Sequence, residues 1–110
     1  MDGWPHSVIS TVARWRLEWR IRRESAVIAR KIYPALRENV LRKIASSSAN
    51  DLAVYAQVRA AQLSQECVDS LMKSNREMSG DFATRLLLKS TERATELVLA
   101  TMARARRFAA

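Results

Sequence analysis

Apolar and polar residues alternate at helical spacing along almost the whole chain. Projected at 100° per residue, the first stretch predicts a long helix over about 7–32 with two separate apolar faces. Val8, Val12, Trp15, Trp19, Ala26, Ala29 and Tyr33 fall on one face. Leu17, Ile21, Ile28 and Ile32 fall on a face roughly opposite, with Arg16, Arg20, Arg23 and Lys31 on the flank between. Pro34 lacks an N–H and crowds the preceding turn, which predicts a break or a sharp kink at 33–34. A short helix over 35–45 follows, with Leu36, Val40, Leu41 and Ile44 as its apolar positions.

The serine-rich stretch 46–50 reads as a linker, because its side chains offer the backbone hydrogen bonds that compete with helix. Ser48-x-x-Asp51 ahead of Leu52 has the form of a capping box. The next helix spans about 51–78, its buried side marked by Leu52, Ala56, Ala60, Leu63, Cys67, Leu71 and Met78. Ser79-Gly80-Asp81 predicts a tight turn, with Gly80 in the left-handed conformation that closes one helix and Asp81 capping the next. The last helix, about 81–107, has the inner face Ala83, Leu87, Ser90, Ala94, Leu97, Thr101, Ala105 and Phe108. Arg104, Arg106 and Arg107 stand in its last turn, where cations suit the helix dipole.

These elements define an all-α fold in a single domain, residues 1–110, behind an irregular leader at 1–6. An antiparallel helical hairpin (51–78 and 81–107) packs against the long N-terminal helix, making a three- to four-helix bundle. The expected core anchors are Trp15, Trp19, Leu63, Leu71, Leu87 and Leu97. That leaves Leu17, Ile21, Ile28 and Ile32 as a second apolar face, too large to stay in water on a monomer. The expected cover is a second copy of the chain, a dimer above all, or another helical protein.

Composition supports the helical reading. The 110 residues include two Gly and two Pro, so turns are few and helices long. A lone cysteine, Cys67, cannot form an intramolecular disulfide, and no secretory leader or membrane-length apolar run is present, so a cytoplasmic location is expected.

Charge adds a second theme. The net charge is +8, and residues 1–45 carry ten Lys/Arg against four Asp/Glu. Arg14, Arg16, Arg20, Arg22 and Arg23 cluster around the tryptophans and form the candidate anion-binding patch. Trp and Arg interleaved in this way serve an interfacial membrane helix or another anionic, hydrophobic surface. They also serve sequence-nonspecific binding to nucleic acid through phosphates and base stacking. No helix-turn-helix, zinc-finger or basic-zipper spacing accompanies them.

Catalytic chemistry is not legible. His6 is the single histidine, which rules out His/Cys metal sites and the Glu-x-x-His motif of di-iron bundles. Two distant glycines cannot build a phosphate loop. The carboxylates are scattered. The chain is expected to be no enzyme and to use no catalytic residue, metal, cofactor or small-molecule substrate.

The runs AQVRAAQLSQECVDSLMKSNREM and LLLKSTERATELVLATMARARRFA, separated by a short gap, resemble phasins, and ESAVIARKIYPAL is similar to the amphipathic segment of some phasin-like proteins. Phasins are small helical proteins that coat polyhydroxyalkanoate storage granules in bacteria. The shared features are Ala- and Gln-rich amphipathic helices, a short break, and a Ser/Thr/Glu/Ala-rich helix ending in basic residues. The resemblance implies a non-enzymatic surface coat, self-association and incidental nonspecific affinity for DNA. The dense Trp/Arg segment and the strong positive charge depart from the family pattern. The leading expectation is therefore an assembly or surface-coating protein. A nonspecific nucleic-acid binder and a peripheral membrane protein are the alternatives.

Overall fold

The computed structural model describes residues 6–75 and 78–109, with side chains over 11–75 and 78–105. The expected leader up to residue 5, and the side chains of Val8, Arg106, Arg107 and Phe108, lie outside the described residues. Three helices follow one another: α1 (His6–Lys43), α2 (Ala49–Ser74) and α3 (Gly80–Ala109). Among the described residues there is no strand.

α1 is one helix of 38 residues, without the second, separate helix expected after Pro34. Proline there removes the hydrogen bond to the Arg30 carbonyl and costs about 3 kcal/mol in a helix interior. The apolar row outweighs this. Ile21, Ser25, Ile28, Ile32, Leu36 and Val40 are all buried, at spacings of three or four, and the row runs straight through residue 34 while the proline ring itself faces water. Immediately before it, the Tyr33 hydroxyl meets Thr101 Oγ1 on α3 at 2.6 Å.

After Lys43 the chain turns through residues 44–48. Ser48 then caps α2, with its Oγ accepting from the Asp51 N–H at 3.2 Å. α2 ends at Ser74, earlier than the sequence suggests. Asn75 is its extended C-cap, donating its N–H to the Leu71 carbonyl at 2.8 Å. The next cap is Ser79 rather than Asp81: its Oγ accepts from Phe82 N–H at 3.1 Å. Gly80 is the first residue of α3, not a left-handed stop for α2.

Contacts between helices fix their directions. Glu18 pairs with Arg85 and Tyr33 with Thr101, so α1 and α3 run parallel. Asn39 accepts from Arg59 at 2.7 Å, and Lys43 lies over the Tyr55 ring at 4.9 Å, so α2 runs opposite to both. The result is an up–down–up three-helix bundle, 67 × 29 × 19 Å.

The core contains many short side chains. Ala29, Ala56, Ala60, Ala83, Ala94, Ser25, Ser64 and Ser90 are all buried among Leu36, Val40, Leu86, Val98 and Met102. On α2 the buried positions recur every four residues, from Leu52 to Val68, and on α3 from Leu86 to Met102. A four-residue step exceeds one helical turn by about 40°, so the buried face winds around each helix. A heptad reading cannot follow that drift. This is why Val98 lies inside and Leu97, expected in the core, is 50% exposed. Leu63, Leu71 and Leu87 pack against the core half-buried.

Candidate anionic-surface interface

The N-terminal part of α1 presents its two faces the other way round from the sequence reading, while Ala29 and Tyr33 of the tryptophan face do lie in or against the core. Ile21, Ile28 and Ile32 are in the core, and Leu17 packs against it half-buried. The strip expected to receive a second protomer is therefore covered by α2 and α3 of the same chain. Trp15 and Trp19, expected inside, are 68% and 50% exposed. The long-range packing of α1 favours the isoleucine row because that row continues to Leu36 and Val40. The tryptophan side instead gives way to Arg23, Arg30 and Arg37, whose charges stay in water.

On the outer side, Val12, Trp15 and Trp19 stand at i, i+3 and i+7, which makes one continuous ridge. Val12 is 46% exposed. Arg14, Arg16, Arg20, Arg22 and Arg23 are all exposed, and of these Arg16, Arg22 and Arg23 flank the ridge, whereas Arg14 falls on the isoleucine side of the helix. Arg23 lies 5.3 Å from the Trp19 ring centroid, which orients the indole without covering it. Arg20 reaches the other way, 5.1 Å from the ring of Phe82.

The ridge lies at the end of the bundle where α2 passes to α3. The α2–α3 connection meets α1 at Leu17 and Arg20, where Asn75, Met78, Ser79 and Phe82 line a shared hollow. Arg85 pairs with Glu18 at the same level. Every residue from Thr11 to Arg16 is exposed. The N-terminal turns of α1 thus project past the end of the other two helices.

A groove runs between α1 and α3. One part, about 660 Å³, is lined by Ala26, Ala29, Tyr33, Leu97 and Ala100, with Arg30, Lys89 and Arg93 and the carboxylates Glu92 and Glu96. A second part, about 430 Å³, is walled by Arg22, Arg85, Lys89 and Arg93 beside Glu18. The α3 members of that wall were missed in the sequence, although Arg85, Lys89 and Arg93 recur every four residues. Their meeting with Arg22 depends on the register between α1 and α3, which no local pattern encodes.

Among the described residues, no group of three or more His, Cys, Asp or Glu comes together to hold a metal, and no helix is long and apolar enough to cross a membrane. Cys67 is half-buried against the core as a free thiol. Compared with known proteins, the chain matches no family model, no curated protein and no solved structure.

Proposed function

We propose that this is a non-enzymatic surface-coating protein that docks the exposed Trp/Arg face of α1 onto an anionic, lipid-like surface. The observation that carries the reading is the exposed ridge Val12–Trp15–Trp19 flanked by exposed Arg16, Arg22 and Arg23. Indole rings partition to the boundary between headgroups and acyl chains, and arginines meet the phosphates there. Each cation close to an anionic leaflet contributes about 1 kcal/mol. The ridge is on the outer side of α1, where a flat surface can meet it. The resemblance to phasins points the same way, toward a coat on an apolar body.

Pairing of two copies through this ridge is disfavoured, because it would oppose the flanking arginines of the two copies. Nonspecific nucleic-acid binding is the second reading, supported by the same arginines and by indoles free to stack. The apolar Val12 beside the two indoles favours lipid, since base stacking has no use for an aliphatic neighbour in the ridge.

Flotation with vesicles separates the readings. The chain should float with phosphatidylcholine vesicles containing phosphatidylglycerol and hardly at all with phosphatidylcholine alone. Trp15→Ala/Trp19→Ala should lose most of that binding while keeping its helix content. If the double variant floats like the parent, the ridge is not the docking element. If duplex DNA binds with a steep salt dependence and vesicles do not, the nucleic-acid reading replaces this one.

A further inference from the structure

The second part of the α1–α3 groove concentrates positive charge. Arg22 comes from α1, and Arg85, Lys89 and Arg93 come from one row of α3. Glu18 is the one carboxylate lining it, and Arg85 already engages Glu18. Arg22 and Arg93 have no ion-pair partner among the described residues, and Lys89 has only a loose one, Glu92 at 3.6 Å. Like charges at i and i+4 repel, so this row is disfavoured by itself. The surrounding structure nonetheless turns it inward on a concave site.

We propose that this groove binds a phosphate monoester. Such a group carries close to two negative charges at neutral pH and offers three terminal oxygens, and guanidinium forks bind those oxygens two at a time. A monoester fits better than the single charge of a diester, because its second charge and third terminal oxygen can engage cations of both α1 and α3 lining one hollow. Leu88, 65% exposed, and Ile21 supply an apolar wall beside the charges. Arg22 is three residues beyond Trp19, on the same side of α1, so ridge and groove can meet one surface together. The inference rests on the surface-docking reading to the extent that a lipid headgroup is the source of the phosphate; a free phosphate ester is the other source.

Two arms separate them. The first compares vesicles containing phosphatidic acid, a monoester, with vesicles containing phosphatidylglycerol, a diester, at matched surface charge. The second titrates the soluble protein with glycerol phosphate and follows the Nε–Hε signals of Arg22, Arg85 and Arg93. Phosphatidic acid vesicles should be preferred roughly tenfold. Arg22→Gln/Arg93→Gln should abolish the preference, whereas Arg14→Gln/Arg16→Gln, with the same loss of charge, should weaken both vesicles equally and keep it. Glu18→Gln, which frees Arg85, should enlarge it. No preference together with unmoved arginine signals overturns the groove and leaves surface docking standing. Arginine signals moved by glycerol phosphate, with no vesicle binding, keep the groove as a site for a free phosphate ester and overturn surface docking. A preference that survives in Arg22→Gln/Arg93→Gln also overturns the groove.

Discussion

Three buried serines on helices behave differently. The Ser25 hydroxyl donates to the Arg22 carbonyl at 3.1 Å. Ser64 and Ser90 are equally enclosed, yet their hydroxyls have no hydrogen-bond partner. A buried hydroxyl without a partner costs about 1–3 kcal/mol, and one that is satisfied contributes about 0.5–1.5 kcal/mol. Ser90→Ala should therefore raise the urea midpoint, by the equivalent of about 1 kcal/mol, and Ser25→Ala should lower it. The same scale explains the tryptophans. Two apolar rows on one helix gave the sequence no local reason to choose between them, and aromatic bulk argued for burying Trp15 and Trp19. The deciding signal was present further along: Arg16, Arg23, Arg30 and Arg37 recur every seven residues on the tryptophan side, where a core has no place for them. Because Ile28 is instead at the centre of the bundle, Ile28→Ala should destabilise it by about 2–4 kcal/mol. A loss below about 0.5 kcal/mol in chemical denaturation would contradict this placement.

At the scale of the helix, Pro34 shows how a local rule yields to a longer pattern. The missing N–H and the ring clash argue for a break, and they still cost stability. Burial of Ile28, Ala29 and Ile32 before it and Leu36 and Val40 after it holds the axis continuous. Pro34→Ala restores the backbone bond and removes no buried side chain, since residue 34 is exposed. It should stabilise the protein by about 1–3 kcal/mol, read as a higher denaturation midpoint with an unchanged m-value. A lower midpoint would mean that the proline serves a geometry the bundle requires. The existence of all three helices was legible from periodicity and the scarcity of turn residues. Their rotation was not: a heptad projection of α3 placed Leu97 inside, whereas four-residue winding puts Leu86, Val98 and Met102 there.

For the whole molecule, the bundle covers internally the strip that had argued for a partner. Without a surface to bind, the chain should sediment as a monomer at tens of micromolar (roughly), because pairing through the arginine-rich ridge is repulsive. A stable dimer under those conditions would require a different apolar contact, such as exposed Val54 and Val58 on α2 or Leu88 and Leu97 on α3. Bound to an anionic surface, the same chain should release as salt rises, since exposed charges beyond a Debye length of about 8 Å are screened at physiological ionic strength. The fold class was legible from the sequence; the position of the proposed interface was not. Its chemistry, Trp with Arg, could be read directly. Its orientation depended on which face of α1 the other two helices chose.

The central claim, that Trp15 and Trp19 meet an anionic lipid-like surface, is tested most directly by their fluorescence. In a Trp4→Phe protein these two residues are the only tryptophans. Adding vesicles that contain phosphatidylglycerol should shift their emission to shorter wavelength and protect them from an aqueous quencher, and phosphatidylcholine alone should do neither. Emission and quenching that stay unchanged at saturating anionic lipid would contradict the account.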